Sequence, residues 1–192
     1  MRRKVSAMEI TLVRHGKPDL KKSGRVNATG MREWVSAYDA SRISGSPASA
    51  AKAACQNSNL IVSSPLPRAV SSLHTLGVKP NFILNELSEA PLPIFNVPAI
   101  KLPPSLWLVF FRLLWLAGAS SKSESCADAQ QRAKRVADHL TALAHEHEQV
   151  FSMGHGIMNK LIAKELERAG WKKVTDGESG YWGTVRYALP TF

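Results

Sequence analysis

Cysteine is scarce. Cys55 and Cys126 are the only two, far apart and without metal-type spacing. That excludes a disulfide framework or a zinc ribbon and leaves two thiols suited to a reducing, cytoplasmic setting. Metal and nucleotide motifs are missing too: there is no Asp-x-Asp, no His-x-x-x-His and no Gly-Lys-Ser/Thr loop. No cofactor and no metal is therefore expected. No apolar run reaches the ~20 residues that span a bilayer. Arg2-Arg3-Lys4 resembles the start of a signal peptide, but Glu9 and Arg14 interrupt the apolar stretch that would have to follow. Acidic residues are few, 15 against 25 Lys and Arg, for a formal charge of +10. The excess is concentrated in residues 1–35, with nine basic and three acidic side chains. Such a patch draws anions. Helix-turn-helix patterning, zinc-finger spacing and aromatic-basic interleaving are all lacking, so nucleic acid is not expected. A pocket for a phosphorylated small molecule or a phosphoprotein accounts for the same charge.

What is present reads as one α/β domain over residues 1–192. At 192 residues and 44% hydrophobic content the chain can bury a full core. Residues 1–7 read as an extension, with Met8 opening the fold. Strands are expected at 9–13, 60–63, 81–84, 150–153 and 184–189. Between them, Met31, Trp34, Val35 and Tyr38 have helical spacing. So do Ala133, Val136, Ala137, Leu140 and Leu143 in a long helix from Ser125 to Glu146, and Ile157, Leu161, Ile162 and Leu166 before Gly170. Ser46-Pro47 suggests the cap and first turn of a further short helix, and Ser64-Pro65 opens another that Gly77 closes. Strands alternating with helices argue a sheet covered on both faces.

Three strand ends carry chemistry. The first strand breaks at Arg14-His15-Gly16, the second at Ser63-Ser64-Pro65-Leu66-Pro67-Arg68, the fourth at Gly154-His155-Gly156. In open α/β sheets such ends are where ligands bind. Arginine offers planar donors to phosphate, and histidine can act as nucleophile or proton carrier. Arg68 falls in a first helical turn, where a cation opposes the helix dipole and an anion would satisfy both.

Arg-His-Gly after the first strand, Ser-Ser-x-x-x-Arg opening a helix and Gly-His after a later strand occur in that order over residues 9–165. In this the chain resembles the histidine phosphatase superfamily, the phosphoglycerate mutase-like proteins. The resemblance implies a three-layer α/β/α sandwich with a mainly parallel sheet. It implies a metal-independent phosphomonoester hydrolase with His15 as the phosphate-accepting nucleophile. Arg14 and Arg68 would clamp the phosphoryl oxygens, and His155 would complete the pocket as a catalytic donor. The family's proton donor is a Glu after the third strand, in a pattern near Leu-x-Glu. Leu87-Ser88-Glu89 matches it, with Glu86 the competitor. A mutase is the alternative, although Lys17-Pro18-Asp19 stands where glycolytic mutases carry a Glu and a Trp-Asn segment. A non-catalytic phospho-ligand module on the same fold is the other. Glu124-Ser125 and Arg132 echo a family pattern that capping and packing already explain. His74, His139, His145 and His147 read as surface residues.

Residues 94–122 read as an apolar insertion near the site. Leu106–Gly118 is apolar on nearly every face, with Arg112 its only charge. Trp107 and Trp115, two turns apart, should face the same way. The segment is expected to pack beside the site and to leave one side for a homodimer partner or an apolar part of a substrate.

Overall fold

The structure is a computed structural model and describes residues 8–21, 23–97, 100–120, 123–175, 177 and 180–189. The basic residues Arg2, Arg3, Lys4 and Lys22 lie outside them. Three parallel strands are the frame: β1 (Glu9–Arg14), β2 (Leu60–Ser63) and β4 (Gln149–Gly154). β3 (Phe82–Ile83) extends the sheet beyond β2. β6 (Thr184–Ala188) and the two-residue β5 (Lys172–Lys173) extend it beyond β1, giving the order β3-β2-β4-β1-β6-β5. β6 runs antiparallel to β1 and β5 antiparallel to β6, while the other pairings are parallel. Helices α1 (Ala28–Ala40), α2 (Ser49–Gln56), α3 (Pro67–Thr75), α4 (Pro104–Leu116), α5 (Cys126–His147) and α6 (Gly156–Arg168) pack around it.

β1 and β4 are buried on both faces, and their interiors are apolar except for the small Thr11 and Ser152. Alternate side chains divide between two cores. Ile10, Leu12 and Val150 meet α5 and α6 through Leu140 and Ile162, while Val13, Phe151 and Met153 meet α2 and α3 through Ala51 and Leu73. α5 starts with a full capping box, Ser125 and Asp128 exchanging side chain and backbone hydrogen bonds. α3 and α6 are closed by Gly77 and Gly170, both at positive φ.

Several local expectations shift. α3 begins at Pro67, not at Pro65, because a residue before proline avoids helical backbone and Leu66 is extended at φ −64°, ψ 137°. α2 begins at Ser49 with Ala48 as its cap, so Ser46-Pro47 only leads into it. β3 is shorter than expected, yet Asn81 and Leu84 still donate to the Ile61 and Ser63 carbonyls at 2.8 and 2.9 Å. β5 had no sequence signal, since two exposed lysines carry no strand pattern.

α4 resolves the apolar segment. Pro104, Trp107, Phe111 and Trp115 form its buried stripe. The two indole N–H groups anchor it, Trp107 to the Val26 carbonyl at 2.7 Å and Trp115 to the Glu124 carbonyl at 2.9 Å. Phe111 stacks on Trp107 (5.0 Å, 12°) and is wholly buried. It therefore belongs to the core with Ala28 and Met31 and not to an outer face. A lysine there would cost several kcal/mol, as roughly for any uncompensated buried charge plus lost packing. No helix among the described residues is long and apolar enough to cross a membrane.

Candidate active site

The sheet brings the three motifs together. β1 and β4 are neighbours in parallel register, Arg14 opposite Gly154, and Ser63 of β2 lies opposite Met153. His15, Ser64 and His155 therefore leave three adjacent strands at one edge.

His15 is 1% exposed, and its Nδ1 lies 2.7 Å from the Gly16 carbonyl. A carbonyl only accepts, so Nδ1 carries the proton and Nε2 keeps its lone pair. Burial pushes the pKa down to about 3, helped by the Arg68 and Arg14 charges and opposed by the Gly16 hydrogen bond. Gly16 is required by space: a Cβ there would stand 2.8 Å from Ile43 and Trp182. Its amide donates to Ser72 Oγ at 2.9 Å, which ties the loop to α3.

His155 caps α6 and is buried, its ring centre 5.0 Å from that of His15. Its Nε2 is 2.8 Å from Ser64 Oγ. Burial first, then the Arg68 charge, holds its pKa well below the ordinary range. Ser64 Oγ also accepts the Leu66 amide, and in the tautomer where its hydroxyl donates to Nε2 the ring proton is on Nδ1. That Nδ1 is buried without a hydrogen-bond partner among the described residues.

Arg68 is the second residue of α3 and 1% exposed. Asp39 pairs with it, its Oδ1 accepting from Nη1 at 2.8 Å, and Arg68 Nε is buried without a hydrogen-bond partner among the described residues. The guanidinium also lies 4.7 Å over the Tyr38 ring, and Arg14 lies 4.5 Å over Tyr181. The glycine at 156 makes room for arginine: a Cβ would stand 3.3 Å from Arg14 Cζ.

Glu89 accepts the first free amides of α6, Ile157 at 3.1 Å and Met158 at 3.0 Å, at the positive end of the helix. Two arginines hold its loop. Arg132 donates to the Glu86 and Ser88 carbonyls while paired with Glu124, and Arg112 donates to the Ala90 carbonyl at 3.0 Å. Arg132 thus does more than cap and pack. Glu89 lines a cavity of about 470 Å³ with Arg14 and Arg68, whereas Glu86 is exposed and is not among the lining residues.

The sequence reading missed Tyr38 as a site residue, and also Asp39, Ser64, Arg112 and Tyr181. Tyr181 comes within 5.8 Å of the His15 ring because β6 pairs with β1. No sequence signal pointed to it. Tyr38 sits 6.4 Å from His15, and burial beside Tyr181 pushes its pKa up to about 12. Among the described residues, no group of three or more His, Cys, Asp or Glu side chains could hold a metal ion.

Two buried neutral histidines set a pH response. Unfolded, each takes up a proton near pH 6.5; folded, His15 does so only near 3. Below about pH 6.5 the unfolded state binds more protons, so stability falls as pH falls, by up to about 1.4 kcal/mol per pH unit for each histidine. Urea unfolding at pH 7 and pH 5 should show the loss, and His15→Asn should reduce it. An equal loss in wild type and His15→Asn would contradict the assignment.

The model of the histidine phosphatase superfamily (branch 1) matches residues 10–181, and the chain belongs to that superfamily. Solved structures share the fold. Phosphoserine phosphatase from Entamoeba histolytica, in complex with 3-phosphoglyceric acid, is 16% identical and superposes with a TM-score of 0.55 over 94% of this chain and 93% of that one. Phosphoglycerate mutase from Thermus thermophilus is 20% identical, with a TM-score of 0.52 over 82% and 83%. The alpha-ribazole phosphatase from Shigella flexneri is 16% identical, with a TM-score of 0.52 over 83% and 79%. No curated protein matches the chain.

Proposed function

We propose that the protein hydrolyses phosphomonoesters through a phosphohistidine on His15. One observation carries the reading: His15 donates Nδ1–H to Gly16 and so keeps Nε2 unprotonated beside Arg14 and Arg68. A lone pair held among cations is what in-line attack on phosphorus requires. Nε2 bonds to phosphorus as the bond to the ester oxygen breaks. Glu89, protonated, gives its proton to the leaving alkoxide. It then takes one from the water that attacks the phosphohistidine, releasing inorganic phosphate and restoring His15. Arg14, Arg68 and the His155 Nδ1–H supply donors to the non-bridging oxygens. Because His15 is 1% exposed, binding entails displacement of the Tyr38 and Tyr181 rings beside it. The names of the structural relatives, phosphatases and a mutase, support this class of chemistry.

Release of phosphate from an aryl phosphate tests the proposal. Turnover should change less than twofold in excess EDTA, since the arginines and histidines carry the charge in this reading. Absence of turnover would overturn the proposal. Loss on chelation, restored by a divalent ion, would overturn its metal-independent form.

A further inference from the structure

The cavity beside the cluster is not built for a polar alcohol. Arg14, Arg68, Glu89, Asp39 and Ser88 supply its polar lining, and most of the remaining wall is apolar. Trp34 and Val35 come from α1, and Leu108, Val109 and Leu113 from α4. The transition between the polar and apolar lining is stepped: the Trp34 ring stacks on Tyr38 (5.2 Å, 23°), and Tyr38 in turn lies under the Arg68 guanidinium. Arg112, also in the wall, is turned to the Glu89 loop, donating to the Ala90 carbonyl and lying 4.7 Å over Trp115.

The apolar wall does not end at the cavity mouth. Val109 and Leu113 are one turn apart on α4, and both are more than half exposed while lining the cavity. Leu106, Phe110 and Leu116 continue the same helix outward and are also exposed. Ordinary amphipathic helices turn polar residues to water. Here, among the outward residues, an apolar track runs along the helix from a cationic pocket.

We infer that the substrate is an amphiphile, a phosphomonoester whose alcohol is a long hydrocarbon chain. The phosphate sits at Arg14 and Arg68, and the chain leaves between Trp34 and Leu113 along α4. This rests on the phosphatase reading for turnover, but not for binding. Charge complementarity places the head, and the continuous apolar track accommodates a tail that a sugar, serine or nucleoside lacks. A hydroxyl-rich alcohol would give up its hydration against the Trp34, Val35, Val109 and Leu113 stretch without partners in return. A methylene group gains by the same transfer, which converts to about a three- to fourfold gain in affinity for each one buried.

The test uses the full chain and two homologous series, n-alkyl phosphates for turnover and non-hydrolysable n-alkyl phosphonates for binding. Ethyl, hexyl and decyl members are compared as monomers below micelle formation. Tryptophan fluorescence reads binding through Trp34. Decyl should exceed ethyl by at least 100-fold in kcat/KM and in affinity, with phosphoserine and a hexose phosphate near ethyl. Leu113→Ser, at a position 60% exposed and so tolerant of substitution, should lower the decyl-to-ethyl ratio at least fivefold. A flat series in both readouts overturns the inference while leaving the phosphatase reading intact if ethyl or aryl phosphate is hydrolysed. Chain-dependent phosphonate binding without any turnover overturns the phosphatase reading and upholds this one. A flat series from a protein that sediments as a dimer, and becomes monomeric as Leu113→Ser, overturns it in favour of a second copy covering the track.

Discussion

His15→Ala is expected to reduce turnover by roughly 10⁴-fold or more, the scale on which removing a covalent nucleophile acts. The residue has no understudy. His155, the nearest histidine, has Nε2 engaged by Ser64. His74 and His139 are exposed on helices away from the strand ends. Quenching wild-type protein during turnover of a labelled ester should trap a phosphoenzyme that survives base and is lost in acid, as a phosphoramidate bond would be. The variant should trap none. His155→Ala should retain only a trace of activity, because it removes a donor to the phosphoryl group and opens a gap beside His15. Thermal denaturation would verify that both variants fold. A folded, fully active His15→Ala protein would end the phosphohistidine reading.

Glu89→Gln should separate substrates by leaving group. An alkyl alkoxide needs a proton as it departs, and an aryl oxide much less. Loss of a general acid typically costs about 10²- to 10⁴-fold where the proton is needed. The variant should approach that loss on an alkyl phosphate and stay within about tenfold of wild type on a nitrophenyl phosphate. Glutamine keeps one carbonyl oxygen, enough for the Met158 amide, while its NH2 takes the place of the oxygen that accepts from Ile157, so thermal denaturation should show a small loss of stability and a folded protein. Glu86→Gln is the control. Glu86 is exposed, and Arg132 binds its backbone carbonyl. If Glu86→Gln showed the split and Glu89→Gln did not, the proton would come from the other carboxyl.

Much of the site was legible because its parts are local. A strand end followed by Arg-His-Gly, a helix entry with Arg in its first turn and a strand end followed by Gly-His-Gly each need only a few neighbouring residues to be recognised. Apolar periodicity likewise revealed α1, α5 and α6 and the central strands, since those elements bury one stripe or both faces. The choice of Glu89 over Glu86 rested on a family pattern. The structure adds a physical distinction, amide donors from α6 on one and solvent around the other.

Other features depended on which distant segments meet. Antiparallel pairing of β6 with β1 sets Tyr181 beside His15, and no feature near residue 181 encodes that. Asp39 pairs with one Arg68 nitrogen only because the end of α1 reaches the start of α3. The outcome for α4 is the clearest case. Its sequence is apolar all round, so periodicity could not say which face would be buried. Trp107 and Phe111 turned inward because their rings fill the space beside α1, and Trp115 because its ring joins the core under α5, while the two indoles reach the Val26 and Glu124 carbonyls. Val109 and Leu113 were left at the cavity mouth by the same rotation. Residue chemistry along the chain determined where the candidate site lies. The packing of α1 against α4 decided what surrounds it, because side-chain volume and hydrogen-bond satisfaction are settled only between segments far apart in sequence.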